Sequence, residues 1–242
     1  MELETKLVKQ YAYILLQYGT LPLTSEGSFN YSVEHRCTSV LIWPEDEKPF
    51  VDNTVLVDPY FTPQGFQYAV GQLEQLNLSF LDVGRFFVTH RHRDHLPNLS
   101  HFIGRTKFTQ FQEGANTSLS GIVIVPYPGH APDQQGLVFR SSSGQKVCIT
   151  GDAVLDIEWL KTWRYYWPNG YTVSEIVETW ESVGKILSYA DLIIPGHGQP
   201  ISVTTPLLEK LLAMFASAKY ANDCQDVERI LSNRLDQLLA EE

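Results

Sequence analysis

Five short β-type segments of this chain each run into an aspartate or a histidine, and this repeated ending constrains the fold more than any other feature. The segments are VLVD, FFVTH, IVPYPGH, VCITGD and LIIPGH, which end at Asp58, His90, His130, Asp152 and His197. Loops that leave one edge of a rigid sheet commonly carry functional side chains. We therefore expect the five endings to converge on one site at a sheet edge.

Helical patterns alternate with the β-type segments. Further β-type runs lie at 11–19, 38–43 and 135–141, and helical patterns lie at 62–78, 174–189 and 204–240, the last with a break near Asn222 and Asp223. Strands mixed with helices over 242 residues predict a layered α/β architecture. We expect a single domain spanning 1–242, with C-terminal helices at about 204–240.

Charge, cysteine content and hydrophobicity limit the kinds of molecule that this chain is expected to bind. The formal net charge of −10 disfavours binding to nucleic acid, because a polyanion is repelled. The cysteines at 37, 148 and 224 are scattered and odd in number, so we expect no disulfide framework. No long apolar run and no secretion-type leader is apparent, so we expect a cytoplasmic protein with no membrane contact.

The segment endings and the HRHRDH stretch at 90–95 supply enough donors for two metal ions. Seven residues offer ring nitrogens or carboxylates there: His90, His92, Asp94, His95, His130, Asp152 and His197. A catalytic zinc ion takes about three protein ligands plus water, so seven residues with one bridging suit two ions. His90 and His92 share a face in an extended loop and can hold one ion. Asp94 and His95, where HLPNLSHF is expected to begin a helix, can hold the other.

In this order and spacing the motifs HxHxDH at 90–95, PGH at 128–130, TGD at 150–152 and PGH at 195–197 resemble the metallo-β-lactamase-fold superfamily, from about residue 11 to about 200. The resemblance implies a four-layer αββα sandwich with the metals at one sheet edge. It also implies how the ligands are divided between the metals. Metal one is held by His90, His92 and His130, and metal two by Asp94, His95 and His197. Asp152 bridges the two metals, and Asp58 supports one of the ligands. We assign catalytic roles to Asp94 and Asp58.

Several positions depart from the family pattern. Leu96, Pro97 and Asn98 follow the DH pair, where glycines are often found, and Pro59-Tyr60 replaces the usual Thr-Gly. His92 also differs from the glutamate of the diiron oxygen-reducing branch. These changes alter loop shape, so pocket details cannot be transferred from relatives.

The function that these residues imply is metal-dependent hydrolysis. We expect two divalent ions, zinc before iron or manganese, and a metal-bridging hydroxide that attacks a small-molecule ester, lactone, thioester or phosphodiester. The alternatives are a mononuclear-iron persulfide-type dioxygenase, a nuclease of the same fold and a non-catalytic binding module.

Other residues carry less specific signals. We expect a surface or loop role for His35 and a structural or supporting role for His101. Arg91 and Arg93 either pair with carboxylates away from the ligands, or one of them steers an anionic substrate. The stripe of Trp159, Trp163 and Trp167 is a core face, a homodimer contact or a pocket wall. The C-terminal leucines are expected to serve core packing or dimerisation.

Overall fold

The computed structural model describes residues 2–24, 26–100, 102, 104, 107–114, 119–164 and 170–241. Within these ranges the strands are β1 (Gln10–Gln17), β2 (Ser39–Pro44), β3 (Val55–Val57), β4 (Arg85–Phe87), β5 (Thr109–Gln110), β6 (Val123–Pro126), β7 (Gln135–Ser141), β8 (Lys146–Gly151), β9 (Leu192–Pro195) and β10 (Ile201–Ser202). The helices are α1 (Glu2–Lys6), α2 (Pro63–Gln75), α3 (Ile157–Thr162), α4 (Val173–Leu187), α5 (Thr205–Phe215) and α6 (Gln225–Glu241).

The strands form one hydrogen-bonded sheet that divides into two halves. Its order is β10-β9-β8-β7-β1-β2-β3-β4-β5, with β6 beside β7. The pairing of β1 with β7 covers only Gln10 with Arg140 and Tyr11 with Ser141. We call β1–β5 the first half-sheet and β6–β10 the second. In the first, β3 and β4 are parallel, and in the second, β6, β8 and β9 run the same way, so their C-terminal ends share an edge.

Side-chain alternation along the strands places the two half-sheets face to face. Val40 and Ile42 of β2 belong to a central buried cluster that also contains Phe139 and Ile149 from the second half-sheet. Leu41, which lies between the two β2 residues, belongs instead to a cluster with α2. Successive strand residues point to opposite faces, so each half-sheet buries both of its faces.

The outer face of the second half-sheet is covered by helices. Cys148 and Ile193 lie in a third buried cluster with Leu187 of α4, Leu208 of α5 and Leu231 of α6. The resulting order is helix, sheet, sheet, helix. This confirms the predicted αββα sandwich.

Two of the helices begin at residues well suited to their positions. The Thr62 side chain accepts a hydrogen bond from the Gly65 N–H, and Pro63 occupies the first helical position of α2. At the start of α4, Thr172 and Glu175 form a reciprocal capping box. Among the described helices, none combines the length and apolar composition needed to cross a bilayer.

The prediction that a helix begins at HLPNLSHF is wrong. Residues 96–100 are irregular or in bends and turns, and His101 lies outside the described residues. The Asn98 side chain explains the difference, since its oxygen accepts a hydrogen bond from the Phe61 N–H (2.9 Å) and its amide donates to the Phe61 carbonyl (2.8 Å). This tertiary pairing fixes the segment against the first half-sheet in place of helical hydrogen bonds.

The aromatic stripe is also interrupted. Helix α3 ends at Thr162, and Trp163 takes a left-handed conformation with φ of 49°. Its indole N–H donates to the Leu211 carbonyl (2.9 Å), and its ring packs edge-on against Trp180 and Phe215. Trp163 is therefore a core residue, as one of the predicted alternatives proposed, while Trp167 lies outside the described residues.

Candidate metal centre

The first half-sheet supplies Asp58 and the loop that follows β4. Asp58 comes directly after β3 in a left-handed conformation (φ 46°), and its N–H bonds to the Phe87 carbonyl (2.8 Å). Aspartate tolerates this backbone region better than most residues. The loop after β4 then turns tightly, with the His95 N–H bonded to the His92 carbonyl (3.1 Å). The neighbouring ends of parallel β3 and β4 thus bring Asp58 and the 90–95 segment together.

The second half-sheet supplies the remaining residues from the ends of three strands. His130 follows β6, Asp152 follows β8 and His197 follows β9. A glycine is required beside His197, because a Cβ on Gly196 would lie 2.0 Å from Asp152 Oδ1. The PGH motif thus lets the β9 backbone approach the carboxylate closely.

A first group of donors surrounds one side of Asp152. It consists of His90, His92, His130 and Asp152, each with one donor atom within 4.8 Å of the others. The His130 Nε2 atom lies 3.0 Å from His92 Nδ1 and 3.3 Å from Asp152 Oδ2. His90 Nε2 lies 3.8 Å from the same carboxylate oxygen. His90 and His92 thus belong to the same donor group.

A second group surrounds the other side. His95, His197 and Asp152 form another set within 4.8 Å, and both Nε2 atoms lie 3.3 Å from Asp152 Oδ1. Asp94 Oδ2 lies 3.7 Å from His95 Nε2 and 3.6 Å from His197 Nε2. Asp152 is therefore common to both groups, and all seven residues predicted as ligands lie together.

The histidines are oriented from behind by oxygen atoms. His95 Nδ1 lies 2.8 Å from Asp58 Oδ2, and His197 Nδ1 lies 3.0 Å from the Arg36 carbonyl. Both oxygens only accept, so each Nδ1 must carry a proton and each Nε2 faces the centre.

Thr89 fixes His90 in the same way. Its hydroxyl donates to Asp58 Oδ2 (2.8 Å), so its oxygen is left to accept from His90 Nδ1 (3.1 Å). Tyr171 is within hydrogen-bond distance of His130 Nδ1 through its hydroxyl (3.2 Å). Four imidazoles are thus held by Nδ1 with Nε2 directed inward.

Two histidines of the first group, His90 and His130, are kept neutral by their environment. Burial lowers the pKa of His90 to about 2, and it outweighs the attraction of Asp152. Burial likewise lowers the pKa of His130 to about 4. Neutral imidazoles are the form that binds metal ions.

The second group has the opposite balance. Burial disfavours the charged form of His95, but the carboxylates of Asp152 and Asp58 outweigh it and raise the pKa of His95 well above its ordinary value. Asp152 raises the pKa of His197 for the same reason. For Asp94, burial is opposed by a hydrogen bond from His35 and by the charge on His95, which together lower its pKa.

The donor groups open into a polar cleft of about 270 Å³. His35, Arg93, Asp94 and His197 line it together with Leu21 and others. Of the two arginines singled out in the sequence, Arg93 therefore faces the site.

A small apolar cavity of about 40 Å³ lies on the other side of the same residues. Its walls include Trp159, Trp163 and Trp180, and it reaches His130 and Asp152. The tryptophans at 159 and 163 thus belong both to the packed interior and to the surroundings of the site.

Sequence reasoning missed three contacts of the centre. His35, assigned to a surface loop, is exposed there but lies 3.2 Å from Asp94 through Nε2, and Thr89 and Tyr171 were not singled out. No sequence pattern marks His35, but the sheet topology brings it to the site. Because β2 is antiparallel to both β1 and β3, the β1–β2 loop leaves the same edge as Asp58.

Comparisons with known proteins agree with this architecture. No protein-family model matches the chain. A Xenopus laevis protein, metallo-beta-lactamase domain-containing protein 1, is 29% identical over 167 residues, which cover 62% of this chain and 68% of that protein. A Thermotoga maritima structure named for the metallo-beta-lactamases gives a TM-score of 0.53 at 15% identity and covers 80% of this chain and 99% of its own.

A solved N-acyl homoserine lactone lactonase is similar to the same extent. Its TM-score is 0.50 at 14% identity, over 79% of this chain and 92% of the lactonase. The four-layer architecture and these similarities show that the chain has the metallo-β-lactamase fold.

Proposed function

We propose that the chain is a metal-dependent hydrolase with two divalent cations, zinc in preference to iron or manganese. The observation that carries the proposal is the shared carboxylate of Asp152 between two sets of inward-facing imidazoles. Within the described residues, His90 Nε2, His95 Nε2 and Asp152 Oδ1 are buried and have no hydrogen-bond partner. Buried polar atoms are normally satisfied, so three such atoms at one point fit bound cations.

The donor set also fits the proposed metal. Imidazole nitrogens and carboxylate oxygens are the ligands that zinc takes in catalytic sites. His90, His92 and His130 would hold one ion, Asp94, His95 and His197 the other, and Asp152 both. The ions would polarise the scissile group and lower the pKa of water beside it.

The remaining steps belong to the chain itself. Asp58 keeps His95 in one tautomer and orientation, because its carboxylate accepts from His95 Nδ1 and from both Thr89 donors. Asp94 is the more exposed of the site carboxylates (21%) and lines the cleft, so we assign it contact with substrate or with the departing group. Asp58 therefore acts through His95, whereas Asp94 acts at the reacting atoms.

We propose a small molecule with an ester, lactone, thioester or phosphodiester bond as the substrate. A cleft of about 270 Å³ suits a compact substrate, and the charge of −10 disfavours nucleic acid. The similarity to a homoserine lactone lactonase supports including lactones in this set. We further propose that residues 1–242 form one domain. We propose the cytoplasm as its location and a homodimer as a form that it can adopt.

Metal analysis combined with a substrate panel tests the proposal. We expect about two zinc ions per chain by mass spectrometry, loss of turnover after complete chelation, and recovery when zinc or manganese is restored. The panel contains an aryl ester, a lactone, a thioester and bis(4-nitrophenyl) phosphate. Undiminished turnover in the stripped protein contradicts the proposal, and one iron per chain with oxygen uptake favours the dioxygenase alternative.

A further inference from the structure

Two neighbouring arginines of the HRHRDH stretch have different surroundings. The Arg91 side chain is 87% exposed and pairs with Asp133 through Nε (3.4 Å). It lines a separate surface depression with Pro97 and Pro132 rather than the cleft over the metal centre. Arg91 is therefore a surface cation with its own acidic partner.

Arg93 lines the cleft itself, beside His35 and Asp94. Within the described part of the chain, no carboxylate lies within ion-pair distance of its guanidinium, whereas Arg91 has Asp133. The acidic residues of the cleft are engaged elsewhere: Asp94 faces His35, His95 and His197, and Asp152 faces the imidazoles of both donor groups. Arg93 thus presents a positive charge to whatever enters the cleft.

We propose that Arg93 binds an anionic group of the substrate, a carboxylate or a phosphate, and so determines specificity. A guanidinium offers a planar set of donors that matches both oxyanions. The net charge of −10 repels a negatively charged small molecule, and the guanidinium in the cleft offsets this repulsion locally. For turnover this inference rests on the proposed hydrolase function, but anion binding can be measured without it.

Binding to the metal-stripped protein is the decisive experiment. Glutarate and inorganic phosphate are titrated calorimetrically at pH 7.5 into the wild type, Arg91→Ala, Arg93→Ala and Arg93→Lys. Arg91→Ala is the matched control, because it removes the same charge two residues away. We expect Arg93→Ala to weaken binding of at least one anion about 10-fold, the usual scale for a charge-assisted hydrogen bond, and Arg91→Ala to weaken it less than 2-fold. Arg93→Lys should restore part of the binding.

The two anions distinguish the two substrate chemistries. Stronger selectivity for glutarate assigns Arg93 to carboxylates, and stronger selectivity for phosphate assigns it to phosphoryl groups. Equal binding by the two alanine variants, or no binding of either anion by the wild type, overturns the inference. Thermal unfolding of both variants controls for folding.

A kinetic arm uses the metal-loaded protein and two esters of similar size. These are 4-nitrophenyl hexanoate, which is neutral, and the mono-4-nitrophenyl ester of adipic acid, which carries a carboxylate. We expect Arg93→Ala to reduce kcat/KM for the charged ester about 10- to 100-fold, mainly through KM, and to affect the neutral ester far less. Equal losses on both esters contradict a specificity role. If the metal-loaded wild type cleaves neither these esters nor any substrate of the panel above, but anion binding still depends on Arg93, the hydrolase proposal fails and this inference stands.

Discussion

The two donor groups of the centre share Asp152 but differ in their charge environment. The group of His90, His92 and His130 has that single carboxylate close to three imidazoles. The group of His95 and His197 faces Asp152, Asp94 and, behind His95, Asp58. One half of the centre is therefore rich in neutral nitrogen donors, and the other is rich in negative charge.

This difference gives a physical reason for one site to bind two cations with unequal affinity. Carboxylates near the second group offset the charge of an ion directly, and Asp58 also fixes the ring of His95. The first group relies on imidazole nitrogens and on two hydroxyls, that of Thr89 behind His90 and that of Tyr171 behind His130. We expect the second group to depend more strongly on its supporting residues.

Replacing Asp152 should have the largest effect, because both groups lose their common oxygen donor. In Asp152→Asn we expect turnover to fall at least about 1000-fold, which corresponds to about 4 kcal/mol of transition-state stabilisation. We also expect the metal content to fall below one ion per chain by mass spectrometry. Asp133→Asn, a change of the same kind at a surface carboxylate, should keep both values. Full metal content and turnover in Asp152→Asn would show that the groups do not depend on a shared ligand.

Replacing the residues that support the two groups from behind should have an intermediate effect on metal affinity. These replacements test directly whether the second group depends more strongly on its supporting residues than the first. Asp58→Asn keeps the shape and accepts the left-handed backbone, but its amide N–H₂ would face one of three donors, the Thr89 N–H, the Thr89 hydroxyl or His95 Nδ1. We expect metal affinity to weaken about 10- to 100-fold, measured by competition with a chromophoric chelator. Tyr171→Phe should weaken it less than about 10-fold. A larger loss in Tyr171→Phe would reverse the ranking of the two groups.

The smallest expected effect is on the free energy of unfolding of the metal-stripped protein. The first group should lower this free energy at acidic pH, and the second group should lower it at alkaline pH. Below pH 6.5 the unfolded chain binds protons that folded His90 and His130 do not, since their folded pKa values are lowered to about 2 and about 4, so stability falls as the pH falls. Above pH 6.5 the folded chain retains protons on His95 and His197, whose pKa values are raised, so this stabilisation is lost as the pH rises through those values.

Urea unfolding between pH 4.5 and 9 measures this prediction. We expect a maximum near pH 6.5 and a loss of about 1–2 kcal/mol towards pH 5. His90→Gln should flatten the acidic side, and His197→Gln should flatten the alkaline side. A stability that is constant across the range would remove the electrostatic distinction between the groups.

The convergence of the site was predictable from the strand endings. A strand that ends in Asp or His places that residue at a sheet edge, and parallel neighbours such as β3 and β4 bring their ends together. Local pattern and strand direction were sufficient to place the strand-end residues, Asp152 among them, at this edge. The position of Asp152 between the two sets of histidines was implied only by the family resemblance.

Features that depend on tertiary contacts were not predictable in the same way. The segment after His95 is compatible with a helix that has Pro97 in its first turn, but the paired hydrogen bonds between Asn98 and Phe61 compete with that helix. Helix α3 ends early because Trp163 packs against Trp180 and Phe215. The approach of His35 to Asp94 depends on the path of the long β1–β2 connection, which no periodicity specifies.

The origin of the two donor groups has a consequence for assembly of the molecule. Each group takes residues from both half-sheets: His90, His92 and His95 from the first, and His130, Asp152 and His197 from the second. A folding intermediate with only one half-sheet in place would therefore contain no complete coordination sphere. Uptake of the ions would report that the two halves have docked, and the ions would in turn slow their separation.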